Sequence, residues 1–356
     1  MISKEFFKQI EVIAEEKGIT VEQALDATAK GLVKAYQKGH GGASARVEFK
    51  PEKNEVLLYS QQLVVTEIDT TGATEMTQIL LEDAKKISNR YKVGDIVEQV
   101  VKTTDFGRTA TSTGKQVFNQ TLKTAEKENV LEYFKSYENE MVTAEVTGIN
   151  DKGITLALGM GTTTLLPTRE ILSNDNFRMG DRVKVYLVSV ETGTKGPKIY
   201  VSRSDKNLVT RLMENIIPEI KEGIIEIRGI ARDAGDRSKV AIYSNDERVD
   251  PIGSCVGEGG ARIREVVNAL NGEKIDLYRY STVPEELIAN SLQPADVVAV
   301  IDVEPKGKTS LAIVPDDQLS LAIGRAGQNV RLAVQSCGWK IDIKSVSDAK
   351  AEGISF

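Results

Sequence analysis

Two stretches of this sequence have residue types suited to holding an anion, and they share one spacing. The first is Gly257-Glu258-Gly259-Gly260, followed by Ala261-Arg262-Ile263. The second is Gly324-Arg325-Ala326-Gly327, followed by Gln328-Asn329-Val330-Arg331. Glycines separated by two residues let the backbone turn tightly and bare its N–H groups where the next helix begins. Orphan donors and the positive end of the helix dipole then face one point, which makes a seat for phosphate. The candidate contacts are Gly257, Glu258, Gly259, Gly260 and Arg262 in the first stretch. In the second they are Gly324, Arg325, Ala326, Gly327, Gln328, Asn329 and Arg331. A lone G-x-x-G is more readily an ordinary helix–turn–helix corner.

The elements around the two loops repeat. A helical apolar run follows each, with Val266, Val267 and Leu270 behind the first and Leu332, Ala333 and Val334 behind the second. Lys274-Ile275-Asp276 and Lys340-Ile341-Asp342 come next. A β-rich segment precedes each loop, through Val240-Ala241-Ile242 and Leu311-Ala312-Ile313. Such self-similarity is the signature of a duplicated unit. Two copies of strand, helix, G-x-x-G, helix, strand resemble paired KH domains. The resemblance implies loops that clamp the backbone of single-stranded nucleic acid. A leading helix and strand, Val209 to Ile220 with Ile224 to Ala231 and Pro284 to Leu292 with Val297 to Val303, place both in the bacterial, type II variant.

Composition narrows the alternatives. A chain of 356 residues accommodates two to four domains. It has no 18-residue apolar run and no expected signal peptide, so no membrane partner is implied. Cys255 and Cys337 fall at apolar positions of the repeats, as small core residues of a reducing, cytoplasmic protein. His40 is the one histidine. No metal site, no cofactor and no catalytic residue is expected, since a serine triad would need His40 itself. The net charge of −6 excludes coating of nucleic acid by charge alone, so binding must be local. Gly307-Lys308-Thr309 mimics the end of a phosphate-binding P-loop, but Asp302 stands where its first glycine belongs and a hairpin replaces strand–loop–helix.

The fold expected is multidomain α+β, beginning with an α/β N-terminal domain over 1–130 and a connector helix to about 137. Ser3 and Gly18 bound a first helix carrying Phe6, Phe7, Ile10 and Ile13. Thr20 and Gln23 form a capping box for a second, stopped by Gly39, Gly41 and Gly42. Strands follow around Val47, at 56–59 and at 63–65, with Asn54 in the first turn. A short helix is expected at 79–86, strand structure at 94–101 and a long helix from Lys115 to Tyr137. Charges nearly balance over 1–130, which suits a protein-binding or structural role.

From 138 to 204 the texture changes to five short strands separated by glycine-rich turns, the arithmetic of a small OB-fold barrel. Val146-Thr147-Gly148-Ile149, Leu166-Pro167-Thr168-Arg169-Glu170, Gly180 to Val185 and Val201-Ser202-Arg203 resemble the S1-like class. Phe177 and Tyr186 are its chief candidates for stacking on bases, and the barrel reads equally as a weak RNA site or a spacer. The first KH copy is expected at 205–280 and the second at 281–347, with a tail at 348–356. The link around Tyr280-Ser281-Thr282 is too short for independent tumbling, so one rigid tandem is expected.

That order of domains resembles the bacterial NusA family of transcription elongation factors along essentially the full chain. The most specific stretches are Ala231-Arg232-Asp233-Ala234-Gly235-Asp236-Arg237-Ser238-Lys239, Asp250 to Gly253, Val314 to Val330 and Gly338 to Lys344. The resemblance implies RNA polymerase as partner of residues 1–130. It implies nascent single-stranded RNA as partner of the barrel and KH copies, with effects on pausing, intrinsic termination and antitermination. Other antitermination factors are implied partners. The acidic repeats that follow in some members are expected to be absent, so autoinhibition by them is not carried over. A general RNA-binding or ribosome-assembly factor without polymerase contact is the alternative. A phosphorolytic exoribonuclease is the enzyme rival, but it needs large catalytic domains in front. One departure stands out: the family usually has a basic residue inside the first loop, and here Glu258-Gly259 fills it. Glu258 either caps the helix behind it or weakens that clamp.

Overall fold

Thr20 accepts a hydrogen bond from the Gln23 N–H, and the Gln23 side chain answers the Thr20 N–H, closing the expected capping box. In the computed structural model, which describes residues 5–69, 76–101, 108–193 and 196–356, this box starts the second helix of the front unit. Helices α1 (Phe6–Lys17) and α2 (Val21–Gly39) meet at Gly18, whose left-handed backbone ends α1. Ser3 lies outside the described residues. Strand β1 (Ala45–Lys50) turns through Asn54, φ 51°, into β2 (Glu55–Val65). Next come β3 (Gln78–Leu80), α3 (Leu81–Ile87), β4 (Ile96–Val101) and α4 (Arg108–Lys135).

Two expectations for this unit are corrected. The strands at 56–59 and 63–65 form one eleven-residue strand, because the polar Ser60-Gln61-Gln62 pairs with Gln99, Glu98 and Val97 of β4. The long helix begins at Arg108, seven residues before Lys115. It can pass α2 closely because two glycines meet there. A Cβ on Gly114 would lie 2.7 Å from the Gly31 carbonyl oxygen. Ile10, Ala14, Ala24, Ala27, Leu122 and Ala125 make the core between α1, α2 and α4.

The chain divides into this unit, which runs to Tyr133, and a second that holds Phe134–Gly193 and Lys198–Phe356. The second opens with β5 (Met141–Asn150), β6 (Gly153–Gly159), β7 (Thr162–Pro167), β8 (Arg182–Glu191) and β9 (Lys198–Ser202). They form one antiparallel sheet in the order β7-β6-β5-β8-β9. Its outer strands nearly close it into a barrel, where the Thr164 hydroxyl donates to the Ile199 carbonyl at 2.5 Å.

Helices α5 (Lys206–Ile216) and α6 (Pro218–Lys221) lead into β10 (Ile225–Asp233), β11 (Arg237–Ser244), α7 (Pro251–Val256), α8 (Ala261–Ala269) and β12 (Lys274–Arg279). The copy repeats as α9 (Pro284–Ser291), β13 (Ala299–Glu304), β14 (Thr309–Val314), α10 (Leu319–Ile323), α11 (Gln328–Cys337) and β15 (Lys340–Ser345). Each sheet has its middle strand paired antiparallel to the one before it and parallel to the one after. That mixed sheet, behind a leading helix and strand, is the type II KH arrangement expected. Gly307-Lys308-Thr309 sits in the β13–β14 hairpin, which makes no phosphate loop. Residues 346–351 form α12 (Val346–Ala351), whose Ala349 is buried against Leu311 and Ile313. The segment expected as a tail from 348 therefore carries part of a packed helix.

The two KH copies share a core. Ala241 and Tyr278 of the first pack with Leu292, Ala333 and Trp339 of the second. The Tyr278 hydroxyl donates to Ser336 Oγ at 2.9 Å, and Lys239 Nζ donates to the Gln293 carbonyl at 2.6 Å. Burial lowers Lys239 to a pKa of about 8.

Candidate nucleic-acid interface

Each G-x-x-G turn joins a short helix to the longer one behind it, and the two turns have nearly the same backbone. Gly257 has φ 73° and ψ 173°, Gly259 φ 54° and Gly260 φ 77°. Gly324 has φ 75° and ψ 171°, Ala326 φ 50° and Gly327 φ 71°. Within each turn Gly260 and Gly327 donate to the Gly257 and Gly324 carbonyls, and Ala261 and Gln328 donate to the Glu258 and Arg325 carbonyls. The leading glycines are required by space: a Cβ on Gly257 would meet Arg262 Cγ at 2.7 Å, and one on Gly324 would meet Asn329 N at 2.8 Å.

The side chains on these turns divide by what they touch. Arg325 is exposed and makes no side-chain hydrogen bond or ion pair among the described residues. Glu258 is exposed as well, and the cap of α8 is Gly260 with no side-chain bond, so Glu258 does not cap that helix. Arg262 is committed. Its Nη1 donates to both Glu219 oxygens, at 3.0 and 2.9 Å, and to the Ser254 carbonyl at 2.8 Å. Asn329 is buried and donates to the carbonyls of Leu292 and Ala322, so its side chain braces the second turn from behind. Gln328 and Arg331 bond to Asp233 and Asp236 of the first copy.

One arginine escaped the sequence reading. Arg264 is the counterpart of Arg331, four residues past the last glycine, and its Nη2 donates to the Gly259 carbonyl at 2.6 Å. Aligning the two turns residue by residue is the signal that finds it. Glu273, equally unremarked, accepts from Arg232 at 2.9 Å and from Ser238 and the Gly235 N–H, all inside the structure. The Ala231 to Ser238 stretch thus fixes the β10–β11 hairpin, and its two outward carboxylates reach the second copy.

The barrel corrects one expectation. Tyr186 is 4% exposed, packs with Leu208, Leu212 and Met213, and donates its hydroxyl to Asn139. It is a core residue and no platform for a base. Phe177 is half-buried, with the Arg203 guanidinium 5.1 Å from its ring centre. Tyr200, 44% exposed between Leu165 and Val188, is the aromatic that does face outward. Among the described residues no cluster of histidine, cysteine or carboxylate side chains could hold a metal ion, and no helix is long and apolar enough to cross a membrane. Burial pushes the Cys255 thiol up to about 12.

Comparison with known proteins agrees with this anatomy. The sequence matches the NusA N-terminal domain over 5–128, the S1 RNA binding domain over 135–202, the NusA-like first KH domain over 203–280 and the NusA-like second KH domain over 284–351. A transcription termination/antitermination protein NusA from Bacillus subtilis (strain 168) is 42% identical over 354 residues, covering 99% of this chain and 94% of that protein. The protein of that name from Thermus thermophilus is 35% identical over 352 residues, covering 96% and 89%. Among solved structures, the N-terminal domain of NusA from B. subtilis is 31% identical, with a TM-score of 0.26, covering 35% of this chain and 97% of that one.

Proposed function

The chain belongs to the NusA family of transcription termination/antitermination proteins, and from that premise we propose how its parts divide the work. Residues 1–130 bind RNA polymerase. The barrel at 138–204 and the KH copies at 205–280 and 281–347 hold nascent single-stranded RNA, and the protein works in the cytoplasm as a binding factor without catalysis of its own. Match to NusA proteins along nearly the whole chain does not favour a general RNA-binding or ribosome-assembly factor.

The observation that carries the RNA assignment is Arg325. It is an exposed guanidinium, unpaired among the described residues, in the middle of a turn that leads straight into α11. A phosphate placed there meets an exposed cation together with the orphan N–H groups and positive dipole end at the start of α11. Most of the other cations at this surface are already bonded within the protein, which agrees with a net charge of −6: binding comes from a few placed groups. The candidate contacts are accordingly ranked. Arg325, Gly324, Ala326 and Gly327 present the seat, Gln328, Asn329 and Arg331 shape it, and Gly257, Glu258, Gly259, Gly260 and Arg262 form a weaker second seat.

The polymerase assignment is tested by recovering the full chain from lysate after nuclease treatment. RNA polymerase should remain bound once RNA is destroyed. Its loss on nuclease treatment would remove the assignment of residues 1–130.

A further inference from the structure

Gln328 and Arg331 stand on the first turn of α11, directly behind the second G-x-x-G turn. Gln328 Nε2 donates to Asp233 Oδ2 at 3.0 Å and to Asp236 Oδ2 at 2.6 Å. Arg331 Nη2 donates to Asp233 Oδ2 at 2.5 Å. Both carboxylates belong to the β10–β11 hairpin of the first copy. At the matching place in the first copy, Arg264 donates to the carbonyl of its own turn and makes no ion pair among the described residues. One arginine position is therefore held by a neutral group in one copy and by a charged group from the neighbouring domain in the other. Both bonds are charge-assisted through the guanidinium, but only that of Arg331 also sets a carboxylate against its charge. The start of α11 also favours any anion nearby, Asp233 included.

We infer that Asp233 sets the RNA affinity of the second turn, by holding Arg331 in an ion pair that a phosphate must displace. The inference rests on the proposed role of that turn as an RNA seat. Losing this one pair does not undock the copies, because the shared apolar core and the Tyr278–Ser336 and Lys239–Gln293 bonds remain. The pair is also half open to water, with Arg331 54% and Asp233 29% exposed, so a strand can reach it.

The test uses the full chain and a labelled, unstructured uridine 12-mer, titrated by fluorescence anisotropy at several salt concentrations. Asp233→Asn keeps the side-chain shape and frees Arg331. Affinity should rise about fivefold near ~0.1 M salt, and the salt slope should steepen by about 0.7, the value of one single-strand phosphate contact. In the Asp233→Asn background, Arg331→Gln should cancel the gain. Unchanged affinity and slope in Asp233→Asn overturn the inference, as does a gain that persists without Arg331. Should Asp233→Asn fail to fold, Asp233→Ser, which also leaves Arg331 without its carboxylate, is read by the same two outcomes. Arg325→Asp in the same assay separates the two readings. If it weakens binding while Asp233→Asn changes nothing, only the role of Asp233 falls. If it leaves binding intact, the seat lies elsewhere and both fall.

Discussion

Glu258 and Arg325 occupy the same place in two turns of nearly the same backbone, each exposed and each just after a glycine with φ near 75°. The scaffold for a phosphate is thus built twice, with opposite charge at its centre. A carboxylate at that point repels a phosphate approaching the start of α8. Because Glu258 makes no capping bond, the change Glu258→Lys should leave the melting temperature nearly unchanged. RNA affinity should rise, with a salt slope steeper by about 0.7. A drop in melting temperature with flat affinity would return Glu258 to a structural role.

Lys239 gives the KH tandem a pH dependence with a definite sign. Burial lowers its pKa to about 8, while an unfolded lysine titrates near ~10.4. Between those values the unfolded chain holds the extra proton, so stability rises with pH across that window and the cost of the buried charge is fully present below it. Denaturant melts of the parent should therefore gain roughly 1–3 kcal/mol from pH 8 to 10 relative to Lys239→Met. Parallel pH profiles for the two proteins would contradict this.

Ala326 adopts φ 50° and ψ 32°, where its counterpart in the first copy is Gly259. A side chain in that region costs roughly 1–2 kcal/mol, partly offset because glycine loses more freedom on folding. Ala326→Gly should raise stability by up to about 1 kcal/mol and leave RNA binding unchanged. A lower melting temperature would show that the turn does not hold this geometry.

Much of the architecture could be read from residue spacing, because local rules set it. The capping box at Thr20, the left-handed Gly18 and Asn54, the five barrel strands and the doubled G-x-x-G each depend on a few neighbouring residues. What escaped depends on distant partners. Ser60-Gln61-Gln62 looks like a break until β4 pairs with it. Tyr186 looks like a stacking surface until α5 covers it. The free or committed state of an arginine is likewise tertiary. Arg203 and Asp175, 1% and 0% exposed, form a buried ion pair that also bonds the carbonyls of Lys184 and Ala269, and nothing in the local sequence announces it. The same holds for Arg262, Arg331 and Arg325, of which only the last is left unpaired among the described residues.

That difference makes Arg325 the place to test the central claim. The measurement is RNA affinity, by anisotropy with the uridine 12-mer, of the full chain carrying Arg325→Asp and Ala326→Asp. Both glycines stay, so the turn is kept, but two carboxylates stand where a phosphate would sit. Affinity should fall at least about tenfold, with thermal melting within a few degrees of the parent. Unchanged affinity in a folded double variant would contradict it and leave the second turn an ordinary corner between two helices.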